Sequence, residues 1–296
     1  MTSNQQTKYV VISPMKNEEK YVENTLASMA RQTVVPMEWI IVNDGSTDHS
    51  AEIVTRYAER YPWIRLVNTA GLGERLPEHY GGHVVDLVYH GLRSVRSAEY
   101  DFIVKLDCDI SFEENFFEHV FREFEQHPHL GLTSGLSFLR QPDGSMVQEK
   151  TAEGHTLGAT KVYRRKCFEN IGGLVPSMGW DGIDEIKARM KGWEARPIDD
   201  LIFEHHRPEG MASGLLASGI ERGKGSYFMG YHPAFMVFRA FYRVLRRPDL
   251  VADGVGMLVG YFGSVARRAD RIPDAEFVHF LRRNQIRKLF MLKSEV

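Results

Sequence analysis

The first third of the chain alternates β-rich runs with amphipathic stretches, and this alternation constrains the fold more than any other feature. β-rich runs at 9–13, 38–42 and 64–67 are separated by helical periodicity over 17–30 and 50–60. A β-α-β-α-β order with right-handed crossovers gives a parallel sheet with helices on both faces. Ligand sites in such sheets lie at the carboxyl ends of the strands. We therefore predict an α/β fold with its site along one sheet edge.

Two acids stand at the end of a further apolar run, residues 102–106. Asp107 and Asp109 are two positions apart, so strand geometry places both side chains on the same face. Neighbouring carboxylates repel each other, and this spacing favours a bound cation. Oxygen ligands suit Mg²⁺ or Mn²⁺, ions that commonly bridge a protein to phosphate oxygens. The alternative is a strand–turn junction at which both acids are solvated.

The composition is typical of a soluble globular protein: 43% of the 296 residues are hydrophobic and 26% are charged. Cys108 and Cys167, the two cysteines, are far apart in sequence, which argues against a disulfide framework and favours a reducing compartment. The N-terminus lacks the basic and apolar segments of a signal peptide, and no run of about 18 apolar residues indicates a membrane span. We therefore expect a cytoplasmic protein.

The C-terminal quarter differs from the rest in charge. From residue 222 onward there are 14 Lys or Arg against 6 Asp or Glu, a net charge of +8 in a chain whose total is −2. Residues 234–246 are amphipathic, with Arg239, Arg243 and Arg246 on one helical face. This pattern predicts an interfacial helix on an anionic membrane surface; the alternative is a helix packed on the domain with its arginines in water. The predicted domains are residues 1–221 and 222–296.

Three motifs stand after predicted strands: Val11-Ile-Ser-Pro-Met-Lys-Asn-Glu18, Trp39-Ile-Ile-Val-Asn-Asp-Gly-Ser-Thr-Asp48 and Lys105-Leu-Asp-Cys-Asp109. In this order and spacing, the segment 8–207 resembles the family-2 inverting glycosyltransferases. The resemblance implies the GT-A fold, a mixed and mainly parallel Rossmann-like sheet flanked by helices, with the catalytic domain in 1–221. It also implies Mn²⁺ or Mg²⁺ and a nucleotide-diphosphate sugar donor. The implied acceptor is a saccharide or a lipid-linked molecule at the inner face of a bacterial membrane, in surface-polysaccharide assembly.

The resemblance also implies roles for residues on the donor side. Asp107 is expected near the ribose, Asp109 on the metal and Asp44 on the base. His83 stands where the family often has Lys or Arg, and Arg75 is then expected to supply the missing charge. Arg207 is expected to face the diphosphate. The expected nucleotide-sugar-binding residues are Pro14, Asn17, Glu18, Asp44, Arg75, His83, Lys105, Asp107 and Arg207.

A late histidine completes the metal site in many members of this fold. Here the candidates are His205 and His206, and neutral imidazole can complement two carboxylates on Mn²⁺. Adjacent strand residues face opposite ways, so we expect one of the two to reach the metal. The alternative is that both histidines are held in a loop without a ligand role.

An inverting transfer needs a base that deprotonates the acceptor hydroxyl. The family takes it from an acidic pair before a helix, most often Glu-Asp, and this chain departs from that pattern. Counting back from Gly192, Asp181 holds the family's base position. Asp184 and Glu185 stand at the start of a helix predicted over 183–191, where carboxylates also serve to complement the helix dipole. We favour Asp181 as the base and keep Asp184 as the second candidate.

Other functions fit the sequence less well. A sugar-nucleotide nucleotidyltransferase usually has a glycine-rich basic loop after its first strand, and residues 13–18 contain no glycine. A non-catalytic nucleotide-sugar-binding module is disfavoured because Asp107, Asp109 and Asp181 are all present. No Gly-x-Gly-x-x-Gly follows a strand, which argues against a Rossmann oxidoreductase. The N-terminal part is acidic, so we expect no nucleic acid partner.

Overall fold

The N-terminal β-α-β-α-β unit is confirmed by the computed structural model, which describes residues 7–69, 82–149, 154–207, 214–246 and 250–294. The first strand pairs in parallel with the second, and the second with the third. The carboxyl ends of all three strands therefore lie at one edge of the sheet. The unit consists of β1 (Tyr9–Met15), α1 (Val22–Ala30), β2 (Glu38–Asn43), α2 (Ser50–Arg60) and β3 (Ile64–Asn68).

The rest of the α/β region adds strands to this unit on the β1 side. Its elements are α3 (Gly82–Ser94), β4 (Phe102–Leu106), β5 (Ile110–Phe112), α4 (Phe116–Gln126), β6 (Leu130–Thr133), β7 (Leu136–Arg140), β8 (Met146–Gln148), β9 (Thr160–Arg164), α5 (Arg165–Asn170), α6 (Trp180–Met190), β10 (Glu194–Ala195) and β11 (Ile202–His205). The main sheet has the order β10-β6-β9-β4-β1-β2-β3, and β5-β11-β7-β8 form a smaller one. Within the main sheet β9 runs antiparallel to β4 and β6 while the other pairs are parallel, so the predicted mixed, mainly parallel sheet is confirmed.

The central strands are buried on both faces, as expected for a parallel sheet covered by helices. Alternate residues enter different cores: Val11 and Ile41 pack on one face of the sheet, while Ile12 and Ile40 pack on the other. All six residues of β2 are buried. Because the strands are buried on both faces, their ends are held in place. The polar segments that follow them therefore begin at fixed positions.

Several element boundaries differ from the predictions. Pro14, predicted to end β1, lies inside the strand and pairs with Val42. The helix predicted from residue 17 begins five residues later, because Asn17 has a φ of +54°. Gly135 lies between β6 and β7, where an added Cβ would be 2.9 Å from a backbone oxygen. The helix predicted from residue 183 begins at Trp180.

Four helices form the C-terminal region: α7 (Leu215–Phe228), α8 (Pro233–Arg246), α9 (Val251–Ala266) and α10 (Ala275–Ser294). Glycines of α7 and α9, among them Gly219 and Gly260, let the two backbones approach closely. The predicted domain boundary at residue 222 lies inside α7, so the helical region begins at Leu215. Within the described ranges, no helix is both long enough and apolar enough to cross a membrane.

The helical region packs directly on α6. Ile183 of α6 lies in one core cluster with Met229, Phe277 and Leu281. The helix that carries the candidate base is therefore buried between the sheet on one side and the C-terminal helices on the other.

Candidate active site

The loop after β4 brings Asp109 against His205. Because β11 pairs antiparallel with β5, His205 lies opposite Ile110, the residue that follows Asp109. The His205 Nε2 atom is 3.4 Å from Asp109 Oδ2, and its Nδ1 atom is 2.9 Å from Glu149 Oε2. Burial lowers the pKa of His205, but the two carboxylates outweigh it and raise that pKa to about 10. Sequence reasoning missed Glu149, which orients the imidazole.

His206 turns to the opposite side, as strand alternation requires. Its ring stacks on Tyr21 at a centroid distance of 5.7 Å and an interplanar angle of 6°. Its Nε2 atom is buried and has no hydrogen-bond partner among the described residues. Of the two candidate histidines, His205 is therefore the one that adjoins Asp109.

Both acids of the Asp-x-Asp pair are matched with protein cations. Arg207 Nε forms an ion pair with Asp109 Oδ2 at 2.7 Å, and its Nη2 donates to Glu18. Lys105, which is 4% exposed, donates to Asp107. Burial raises the pKa of Glu18 to about 7 despite Arg207, and its Oε2 atom has no partner among the residues described. An orphaned buried carboxylate oxygen beside two further acids is a place where a cation or a hydroxyl group fits.

The donor chemistry here fits a divalent cation that shares its ligands with a substrate. The described part of the chain holds no group of three or more His, Cys, Asp or Glu side chains arranged around a common metal position. Mg²⁺ and Mn²⁺ are often held by one or two carboxylates and complete their coordination with substrate phosphates. Asp109 with His205, and Asp107 two residues away, supply such a partial set.

The loops after β1 and β2 are tied together beside this pair. Asn17 Oδ1 accepts a hydrogen bond of 2.8 Å from the Thr47 amide. Asp44 accepts hydrogen bonds from Lys16 at 3.1 Å and from His83 at 3.0 Å. Burial raises the pKa of Asp44, but His83 and Lys16 outweigh it and lower that pKa. Asp44 and His83 thus meet, whereas Arg75 lies outside the described residues.

On the opposite side, α6 carries three acids, and two of them are buried and held by hydrogen bonds. Asp184 is 1% exposed; it accepts hydrogen bonds from Lys161 at 3.0 and 3.1 Å and from the Tyr163 hydroxyl. Burial raises the pKa of Asp184 to about 6, because the Lys161 charge offsets only part of the desolvation. Glu185 is 5% exposed and accepts two hydrogen bonds of 2.6 Å from Thr156. Neither carboxylate is presented to a substrate.

Asp181 is the accessible acid of the three. Its side chain is 33% exposed, against 0% for Asp184 and 6% for Glu185. It stands in the first turn of α6, whereas Asp184 and Glu185, predicted to stand at the helix start, lie beyond that turn. Burial raises the pKa of Asp181, but His155, whose Nε2 is 3.4 Å from Oδ2, and Lys161 outweigh it and lower that pKa to about 2.

Trp180 connects the two sides. Lys105 and Lys161 face each other in the β4–β9 register, and their ammonium groups lie 5.7 Å and 5.4 Å from the Trp180 ring centroid. Lys105 also binds Asp107, while Lys161 binds the Asp181 carbonyl oxygen at 2.5 Å. The Asp-x-Asp pair and the start of α6 therefore belong to one site. Sequence reasoning missed Lys161, although a lysine within an apolar strand was a visible signal.

Comparison with known proteins finds similarity over the segment that carries Glu18 and Asp44. Residues 10–74 match the model of the family described as glycosyl transferase family 2. An uncharacterized glycosyltransferase of Escherichia coli, YibD, is 40% identical over 78 residues, which are 26% of this chain and 23% of that protein. The poly-β-1,6-N-acetyl-D-glucosamine synthase of Staphylococcus epidermidis is 24% identical over 139 residues, 46% of this chain and 30% of that enzyme. Each match therefore spans under a third of the relative's own length.

The fold extends the similarity over nearly the whole chain. The mannosyltransferase PcManGT of Pyrobaculum calidifontis, solved with GDP-Man and Mn²⁺, superposes with a TM-score of 0.57 at 19% identity. The superposition covers 93% of this chain and 79% of that one. The architecture is therefore that of the GT-A glycosyltransferases.

Proposed function

We propose that this chain, a glycosyl transferase family 2 protein by its residues 10–74 and a GT-A protein by its fold, is a metal-dependent inverting glycosyltransferase. It would move a sugar from a nucleotide-diphosphate donor to a saccharide or lipid-linked acceptor. The observation that carries the proposal is the convergence of the strand-end acids Asp44, Asp107 and Asp109 with the accessible Asp181 in one site.

On the donor side, the polar segments after three strands would bind the nucleotide. Asp44, held by Lys16 and His83, would contact the base, and Asp107 the ribose. Arg207 is half exposed and now bridges Asp109 and Glu18, so it can turn toward a diphosphate. Phosphate oxygens attract guanidinium as carboxylates do, and bidentate geometry suits both.

Asp109 and His205 would hold a Mn²⁺ or Mg²⁺ ion, with Asp107 nearby. When bound, the ion stabilises the negative charge that develops on the leaving nucleotide diphosphate. Glu149 would keep the imidazole oriented, as carboxylates behind metal-binding histidines commonly do.

On the acceptor side, Asp181 would take the proton of the attacking hydroxyl. The acceptor oxygen forms a bond to the anomeric carbon while the bond from that carbon to the phosphate oxygen breaks. The nucleotide diphosphate leaves with the bonding electron pair, and the proton stays on Asp181. In-line attack inverts the anomeric configuration. Trp180, whose ring centroid lies 5.7 Å and 5.4 Å from the two lysine ammonium groups, would form the wall against which the sugar lies.

Calorimetric titration of the full chain with GDP and UDP, with and without Mn²⁺, tests the donor side. We expect one nucleotide to bind at least tenfold more tightly with Mn²⁺, and this gain to disappear in Asp109→Ala. Asp200→Ala serves as a matched control, because this aspartate is 77% exposed and pairs with His119 of α4. Equal binding with and without metal would contradict the metal assignment.

The setting is proposed as assembly of a bacterial surface polysaccharide at the inner face of the membrane. It is supported by the S. epidermidis relative, whose name states that it synthesises poly-β-1,6-N-acetyl-D-glucosamine. Such polymers are built from saccharide or lipid-linked acceptors. A screen of acceptors with radiolabelled nucleotide sugars tests this part, and transfer to water alone would contradict it.

The arginines of α8 do not support this setting in the way the sequence predicted. Arg243 Nε donates to Asp253 Oδ2 of α9 at 2.6 Å, and Arg239 lies over the Tyr231 ring at 5.5 Å. The expected stripe therefore turns inward at these two positions, because the fully buried Asp253 carboxylate requires cationic partners. The side chain of Arg246 lies outside the described residues.

Several apolar residues of α8 and α9 are exposed instead, although Met236 and Met257 are buried. Val255, Val259 and Phe262 on α9 are 43–54% exposed, and Phe241 on α8 is 62% exposed. Exposed arginines, Arg267 among them, follow α9 directly. We infer that this face rests in the interface of an anionic bilayer, with its apolar residues among the acyl chains and its basic rim at the headgroups.

Flotation with anionic and neutral liposomes tests this membrane face. We expect the full chain to float with anionic vesicles, less with neutral ones, and not at all after Phe241→Glu combined with Val259→Glu. Val147→Glu is the matched control, since Val147 is 51% exposed but lies on the small sheet. A wild-type chain that stays at the bottom of the gradient would refute the inference.

A further inference from the structure

His155 lies between two acids of α6 and has no part in the function proposed above. Its Nδ1 atom is 2.8 Å from Glu185 Oε1, and its Nε2 atom is 3.4 Å from Asp181 Oδ2. The imidazole is 25% exposed. Thirty positions separate His155 from Glu185 in the sequence, so the contact is created by the fold and not by a local motif.

The far end of this carboxylate–imidazole–carboxylate array is fixed. Glu185 is held by the Thr156 amide and hydroxyl, both at 2.6 Å. Lys161 lies 4.0 Å and Arg189 3.6 Å from the same carboxylate. Because Glu185 cannot move, it anchors the ring that faces Asp181.

The near end leaves one oxygen of the candidate base free. Asp181 Oδ2 faces His155, whereas none of the described residues donates a hydrogen bond to Oδ1. A ring that holds one carboxylate oxygen from the side restricts rotation of the carboxylate. The second oxygen is then left for a bound hydroxyl group, and a base needs such a fixed, uncommitted oxygen.

We propose that His155 is a positioning residue for the transfer reaction: it holds Asp181 in one rotamer, ionised, with Oδ1 directed at the acceptor hydroxyl. The inference rests on the proposed role of Asp181 as base. The charged groups that face the array are Asp181 and Glu185 on α6, Arg189 one turn beyond, and Lys161 and Lys105 on the strands below. The two carboxylates favour the imidazolium form over a wide pH range, and the imidazolium favours ionised Asp181.

The pH dependence of kcat/KM separates this role from a structural one. In the wild type, we expect kcat/KM to decline only at low pH, so that the acidic limb of the profile lies at low pH, because His155 keeps Asp181 ionised. In His155→Gln, kcat should fall roughly 10- to 100-fold, and the acidic limb should move up by about one pH unit or more. KM for the donor should not change. His155→Lys, which keeps a positive charge, should restore the low acidic limb.

The outcomes distinguish this inference from the function on which it rests. If Asp181→Asn retains transfer, the assigned base is wrong and the role of His155 falls with it. If Asp181→Asn is inactive but His155→Gln keeps the wild-type acidic limb, only the role of His155 is refuted. Histidine ¹⁵N spectra of the wild-type chain provide a measurement that needs no His155 variant. Two imidazolium signals, those of His155 and His205, should persist well above pH 7, and one of them should titrate at lower pH in Asp181→Asn. If neither signal shifts in that variant, the inference is also refuted.

Discussion

The two sides of the site hold their acids in opposite ways. On the donor side, Asp109 is matched by Arg207, whose side chain is 50% exposed and free to exchange one anion for another. On the acceptor side, Asp184 and its partner Lys161 are both fully buried. The donor side is therefore organised to receive charge from a ligand. The acceptor side compensates its charges internally and presents a single carboxylate, Asp181.

This difference explains why three acids of the site have different pKa values. Burial raises the pKa of Glu18 to about 7 and that of Asp184 to about 6. Burial also raises the pKa of Asp181, but His155 and Lys161 outweigh it and lower that pKa to about 2. Glu18 lies beside the proposed ligand site, whereas Asp184 pairs with Lys161. The position of a carboxylate relative to fixed cations, more than its burial alone, distinguishes carboxylates that can bind a ligand from those that stabilise the fold.

The largest expected effect is the loss of catalysis when Asp181, the proposed base of the acceptor side, is replaced. Asp181→Asn should reduce kcat by about 10³- to 10⁴-fold, because it removes the proton acceptor while keeping the shape of the side chain. Nucleotide binding with Mn²⁺ should remain within about twofold of wild type. Asp107→Asn is the donor-side counterpart and should weaken nucleotide binding as well as transfer. Radiochemical transfer assays and calorimetry on both variants measure the contrast.

A reversed pattern would exchange the roles of the two sides. If Asp181→Asn weakened nucleotide binding as much as Asp107→Asn does, the two acids would both belong to the donor site. The acceptor base would then have to be sought among groups that the structure presents elsewhere.

The second effect concerns stability. Lys161→Met should lower the free energy of unfolding by roughly 3–5 kcal/mol, because it leaves the Asp184 carboxylate buried without its cation. Arg207→Met should cost less than about 1 kcal/mol, since Arg207 is half exposed and Glu18, with a pKa of about 7, can become neutral. Urea unfolding at pH 7 measures both. Equal losses would mean that the donor-side pair is as structural as the buried one.

The donor side could be predicted from the sequence because its determinants are local. In a strand that ends in Asp107-Cys-Asp109, the two-residue spacing alone predicts that both acids lie on one face. The same alternation predicted that His205 and His206 would face opposite ways. Parallel β-α-β order then brought Asp44 to the same edge. These predictions used only strand alternation and the rule that parallel strands end at one edge of the sheet. Neither rule requires knowledge of contacts with distant residues.

The acceptor side could not be predicted in this way because its partners are distant in sequence. Lys161 lies on β9 and His155 in the segment before it, and both contact α6 only after the chain has folded. No local sequence pattern predicts which residues of α6 they contact. The helix start was placed three residues late for the same reason, since Trp180 is fixed by two lysines on the sheet. In α8, the period of the arginine stripe was correct, but its direction depended on Asp253 in another helix.

The smallest effect comes from the imidazole that joins the acceptor-side acids. Burial lowers the pKa of His155, but Asp181 and Glu185 outweigh it and raise that pKa from 6.5 to about 9 in the folded state. A raised pKa adds stability that is fully present below pH 6.5 and is lost as the pH rises through 9. We therefore expect the contribution of His155 to the free energy of unfolding to fall by roughly 2–3 kcal/mol between pH 6.5 and pH 9.5.

His155→Gln should remove this part of the slope, because glutamine does not titrate, and should leave the part that arises from His205, whose pKa is also raised. It should also lower stability at pH 6.5 by roughly the same 2–3 kcal/mol. His49→Gln is the matched control: the pKa of His49 is also raised, chiefly by Glu19, but its side chain is 75% exposed and solvent screens the pair. Urea unfolding across the pH range measures all three proteins. A slope as steep in His155→Gln as in the wild type would show that the alkaline loss of stability arises outside the acceptor side.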